Sequence, residues 1–258
     1  MLKIFFLFRS QMLKTEMEYT VNFWMMILSG IVMRSLLMAM VFVLFYNIPD
    51  IAGWQAGEVY LIIGFIIVTE GMCNLFFDGL WYIPSMVFRG EFDVILSRPI
   101  APLYQILVQG LGIHGIGNSM IGLISIGVGL LSMGWFTPWG IVLCLFFVIA
   151  GTIIRMSYYL IALSHVFWIH GGVSNLGFLV YSIGELARYP IVIYPGWLRF
   201  ILFFIIPAGF IGFVPTLILR GDEVLLYAVG LVAVMVLYFI LARAIFYRGI
   251  KRYESIGM

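Results

Sequence analysis

Apolar runs long enough to cross a bilayer decide the solvent of this chain before any motif is considered. Between positions 21 and 46 the only charged residue is Arg34, and between 224 and 242 there is none. A helix needs about 20 apolar residues to cross roughly 30 Å of hydrocarbon. Comparable runs cover 58–77, 104–133, 139–168 and 171–186. In a chain of 258 residues with 64% apolar and 10% charged content, they leave no room for a separate catalytic domain. The expected fold class is therefore all-α, a polytopic membrane protein with six transmembrane helices. The net charge of +2 is small, and its basic residues sit mostly at span ends, which argues against a nucleic-acid partner.

The connections divide this chain into an N-terminal helix, 1–20, and one transmembrane domain, 21–258. The first segment carries Lys3, Arg9, Lys14, Glu16 and Glu18 and has no small-residue cleavage site after an apolar core, so no cleavable signal is expected. Ile4, Phe5, Phe8, Met12 and Leu13 share a helical face, as in a helix lying in the membrane interface. Asn47, Pro49 and Asp50 read as a loop, and so does 134–138, with Trp135 and Trp139 expected at the interface. Arg188, Tyr189, Pro190, Pro195 and Gly196 interrupt the fifth run. The apolar block 197–219 follows, divided by Pro207 and Pro215, and reads either as a full span or as a re-entrant hairpin. Basic residues favour the cytoplasmic side. Lys3, Arg9 and Lys14, then Arg89 and Arg98, then Arg243, Arg248, Lys251 and Arg252 put both termini and the 80–103 segment there. Both ends on one side require an even number of spans, which favours six spans with 189–220 as a re-entrant outer segment. Arg188, Arg199 and Arg220 are then expected near the outer face, against that bias.

Four ionisable residues fall within or near the apolar runs: Arg34, Glu70, Arg155 and Glu185. A charge in hydrocarbon costs several kcal/mol unless it is paired or hydrated. Arg34 lies about 20 Å above the lower end of its helix and Glu70 about 12 Å above Asp78, at 1.5 Å per residue. Arg34 can pair with Glu70, Arg155 at inner-half depth on the fourth span can compete for it, and Glu185 lies close to Arg188 and the outer interface. Structural pairing and a substrate or proton pathway both remain open for these four. Gly115, Ser119, Gly122, Ser125 and Gly129 share an arc that admits a close helix neighbour. Cys73 and Cys144 read as ordinary membrane-helix residues. His165 and His170 do not share a helix face, and no metal site is expected. No GxSxG elbow and no GxxxxGK[ST] phosphate loop occurs, so the chain is not expected to be an enzyme or to bind a nucleotide itself.

The polar island 88–102, FRGEFDVILSRPIAP, exceeds a mere turn. Val87, Phe88, Phe92, Ile95 and Leu96 are expected on one side of an amphipathic helix, with Arg89, Glu91, Asp93 and Arg98 displayed, until Pro99 and Pro102 end it. Its RGEFDVILSRP stretch resembles the G-E-x-D-x-x-L-x-R-P signature between the second and third spans of type-2 ABC exporter permeases, in their six-span branch. The interfacial N-terminus, the span layout and the proline-bearing segment before the last span extend the likeness over the chain. The resemblance implies a permease subunit in the bacterial cytoplasmic (inner) membrane. Its implied partners are two ABC ATPase subunits, which bind ATP and Mg, and a second permease copy or a paralogue. It also implies that Gly90, Glu91, Asp93, Arg98 and Pro99 form the ATPase-coupling contact and that spans one, two and five line the path. The competing reading is an ion-coupled secondary transporter built on the four intramembrane charges.

Overall fold

The computed structural model describes residues 2–169 and 175–254, in which helices are the only extended regular elements. The face of the bundle carrying residues 88–102 is taken as lower. Helix α1 (Leu2–Glu18) is parted from α2 (Thr20–Asn47) by Tyr19, whose backbone is not helical. Leu7, Phe8 and Leu13 are exposed, as suits a helix whose apolar side meets lipid. The side chains of residues 2–6, Ile4 and Phe5 included, lie outside the described set.

Helix α3 (Ala56–Phe77) is central and buried along most of its length. Glu58 closes its upper end by accepting from the Gln55 N–H at 2.8 Å. Below Phe77 it tightens into a 3-10 turn, Asp78–Tyr82, and continues as α4 (Ile83–Phe88), so one stretch of 33 residues runs from the upper face to the polar island. The island itself departs from the single amphipathic helix that its spacing predicts. Gly90, at φ +71, cuts it after α4, and the chain resumes as the short α5 (Phe92–Ser97). Only Val87, Phe92 and Ile95 of the expected inner face are buried; Phe88 and Leu96 are exposed.

The third apolar run is also broken. Helix α6 (Pro102–Val108) stops, residues 109–113 form a non-helical crossing, and α7 (His114–Ser132) makes the span. The cause is a backbone-to-backbone approach. A Cβ on Gly110 would stand 2.7 Å from the Asp78 carbonyl carbon, and the Gly112 N–H donates to Asn74 O at 3.0 Å. Above this crossing, α7 lies antiparallel to α3 along the expected small-residue arc. Gly115, Gly122 and Gly129 recur every seven residues and face Gly71, Gly64 and Gly57, which recur in the same way.

Helix α8 (Pro138–Ser164) ends in a 3-10 turn, His165–Phe167. His170 and the first residues of the fifth run lie outside the described residues. That run contributes α9 (Leu176–Glu185), whose ten residues span about 15 Å, half a bilayer core. It gives way to the 3-10 turns Leu186–Arg188 and Ile191–Ile193 before α10 (Gly196–Phe200), which continues through Ile201–Ile205. The chain then bends by 74° around Ile206 and Pro207 and returns to α11 (Phe213–Arg220). Pro207 marks the expected division. Pro215 does not, because it occupies the first turn of α11, where an N–H has no intrahelical acceptor. Gly221, at φ +95, leads into the last helix, α12 (Val224–Ile250). Five helices are long and apolar enough to cross a membrane, and the bent pair makes six if it is counted as one span.

Candidate functional site

The four intramembrane charges expected from the sequence converge on one cluster. The Arg34 guanidinium meets Glu70 at 2.5 Å and Glu185 at 3.9 Å, and Arg155 meets Glu185 at 3.5 Å. Arg188 joins by pairing with Glu185. Neutral groups complete the shell: Asn118 Oδ1 accepts from Arg34 Nε at 3.4 Å, and the Tyr181 hydroxyl donates to Glu70 at 3.4 Å. Arg155 is fully buried and donates to Ile66 O at 3.1 Å and to the Tyr159 hydroxyl at 3.2 Å. Four helices thus contribute one charge each, from α2, α3, α8 and α9.

This places Glu185 and Arg188 lower than the sequence suggests. Gly177 packs on Leu163, and Gly184 packs against the Tyr158 hydroxyl. Roughly 12 Å of helix separates Gly177 from Glu185 and Leu163 from Arg155 alike, so α9 ends at mid-bundle rather than at the upper interface. Arg188 is therefore not an outer-loop charge. Arg220 does lie at the upper end, where it pairs with Glu58 at 3.6 Å and Asp222 at 3.4 Å.

At the lower face, the segment that carries the signature is anchored by one aromatic ring. Phe92 is fully buried, with ring centres 5.2 Å from Phe167 at the foot of α8 and 5.3 Å from Tyr253 beyond α12. Phe246 of α12 extends this stack through Phe167 at 5.8 Å. Gln105 on α6 fixes the other end by donating to Ile95 O at 2.9 Å and Ile100 O at 2.7 Å. Burial, and then Asp93, push the Tyr253 phenol up. Gly90 supplies the turn. Glu91 and Arg98 are exposed, Glu91 within 3.8 Å of Arg89, and Pro99 is exposed beside them. Phe88, Val94 and Ile100 are exposed among these charges, so the outer surface of the segment mixes apolar and ionic groups.

The family model described as ABC-2 family transporter protein matches residues 22–257. The chain belongs to the ABC-2 transporter family. It is a membrane permease component of that transport family, a multi-pass membrane protein. Comparisons with curated proteins and with solved structures give no match.

Two features of this ABC-2 permease were not read from its sequence. The first is Arg9, which is buried although its helix was expected to lie in the membrane interface. Its guanidinium donates to Phe76 O at 2.6 Å, to Leu107 O at 2.7 Å and to Gly110 O, the carbonyls left open where α3 and α6 end and the crossing begins. Burial draws the Arg9 pKa down and Asp78 opposes that shift. Nothing local distinguishes Arg9 from Lys3 or Lys14, since its Leu107 and Gly110 acceptors exist only once the third run breaks. The second is the seven-residue glycine repeat of α3, Gly57, Gly64 and Gly71, which was visible as a spacing. Among the described residues, no three metal-ligating side chains cluster.

Proposed function

We propose that this chain is the membrane-spanning subunit of an ATP-driven exporter, docked on two separate cytoplasmic ATPase subunits and paired with a second permease copy or a paralogue. ATP and Mg bind the ATPase partners, and both termini lie on the cytoplasmic side of the cytoplasmic membrane. The observation that carries the reading is the Phe92 anchor. It holds a mixed apolar and charged surface outward while tying its inner side to α8 and α12. A push on such a surface reaches the bundle through packed rings and through α4, which leads by way of the Asp78–Tyr82 turn into α3 and up to Glu70. A conformational change driven by ATP requires contacts that differ between two states. Gly90, Glu91, Asp93, Arg98 and Pro99 supply the ATPase face, while Arg34, Glu70, Arg155 and Glu185 hold the spans together at the depth where a path opens.

Co-purification tests the proposal. The wild-type chain is expected to retain its ATPase partner, and Glu91→Ala with Arg98→Ala is expected to release it while the permease stays folded. Transport that persists in the absence of any ATPase would refute the exporter reading and favour ion coupling through the intramembrane charges.

A further inference from the structure

The mid-bundle cluster is unbalanced. It contains three guanidinium groups, from Arg34, Arg155 and Arg188, and two carboxylates, from Glu70 and Glu185. No other carboxylate forms an ion pair with it among the described residues. A net positive charge at that depth is unfavourable unless hydrated or neutralised. Polar atoms of both kinds lack a hydrogen-bond partner, Arg155 Nε and Arg188 Nε among the donors and Glu70 Oε2 and both Glu185 carboxylate oxygens among the acceptors, so it is the net charge that sets the sign of what the cluster would take; the Arg155 side chain has no exposed surface. Just beyond α9 the chain is broken into two short 3-10 turns, with Tyr189, Pro190, Tyr194 and Pro195 outside them, and such interrupted backbone is tolerated at membrane depth where it is buried in protein or lines a hydrated cavity.

An apolar crevice of about 410 Å³ lies between α2, α3 and α7. That volume falls within the roughly 300–1,000 Å³ range of ligand pockets. Its walls include Met38 and Phe42, one and two turns beyond Arg34 on α2, and Ile121, Ser125 and Val128, which follow Asn118 at helical spacing on α7. Arg34 and Asn118 touch each other. The crevice therefore continues the cluster upward along the two helix faces that carry that contact.

We propose that the cluster binds the singly charged oxyanion head of a lipid-like amphiphile, with an apolar chain of that molecule lying in the crevice. One negative charge balances the excess cation, and guanidinium groups match an oxyanion through directed N–H donors. As a statement about cargo, this rests on the exporter reading; as a statement about binding, it does not.

The test uses the full-length chain in neutral detergent and follows its unfolding temperature with phosphatidylglycerol, with phosphatidylcholine of the same acyl chains, and with inorganic phosphate. Phosphatidylglycerol is expected to raise that temperature saturably, and the other two are not. Arg34→Gln is expected to weaken phosphatidylglycerol binding on the order of tenfold or more, whereas Arg34→Lys retains most of it. Ile121→Trp, which fills the crevice without touching an ion pair, is expected to weaken it too, and it keeps the test decisive if Arg34→Gln does not fold. Equal binding of the two lipids, or undiminished binding by both Arg34→Gln and Ile121→Trp, overturns the proposal. A matching shift from inorganic phosphate overturns the amphiphile assignment by showing a free-oxyanion site. A wild-type chain that binds phosphatidylglycerol but retains no ATPase would sink the exporter reading and leave the lipid site standing.

Discussion

At the scale of residues, the cluster shows why intramembrane charges are costly to separate. Glu70→Gln leaves three guanidinium groups facing one carboxylate, a change expected to destabilise the chain by roughly 3–5 kcal/mol. Adding Arg34→Gln is expected to recover part of that loss, and a double-mutant cycle on unfolding in detergent measures the coupling. The sequence identified all four charges, because ionisable groups stand out in apolar runs. It raised Arg34 with Glu70 and Glu185 beside Arg188 but left the pairing open, since pairing depends on how far each helix is displaced along its neighbour. Arg34 and Glu70 meet although they lie about 21 Å and 12 Å above Thr20 and Asp78, which means α2 begins roughly 9 Å lower than the Asp78 turn. Glu185 was harder still: its depth follows from α9 packing on α8, which no local pattern reports.

Among elements, α3 and α7 form the tightest pair, and their glycines permit it. A Cβ on Gly64 would stand 2.9 Å from Ile126 N and 3.0 Å from Gly122 O, so it presses on backbone that cannot rotate away. Gly64→Ala is expected to cost about 1–3 kcal/mol by overpacking. Gly127→Ala, where an added Cβ meets nothing within 4 Å, is the control expected to be nearly neutral in the same unfolding assay. The arc of small residues on α7 made half of this pair legible. The polar island was legible in its signature and less so in its shape, because a glycine in the left-handed region breaks a helix that hydrophobic spacing alone would continue. Phe92→Ala removes the ring packed against Phe167 and Tyr253. It is expected to lower stability by about 3–5 kcal/mol and to reduce ATPase retention, as read by unfolding and by co-purification.

For the whole molecule, the proposed orientation has a direct check. Ser97→Cys is expected to react with a membrane-impermeant maleimide only after the cells are opened, and Asp222→Cys is expected to react from outside. Both positions are exposed, and the native Cys73 and Cys144 are buried and supply no competing signal. Labelling of both new positions from the same side would refute the arrangement. The seat of Arg9 carries a further consequence for how such a molecule is made. One of its acceptors, Gly110, lies 101 positions later in the chain. During synthesis the Arg9 guanidinium therefore cannot reach its Leu107 and Gly110 acceptors until the third hydrophobic segment has emerged and turned back. Biogenesis thus finishes the beginning of the chain late, and a truncated nascent product ending before that crossing is expected to leave its N-terminal helix open to protease.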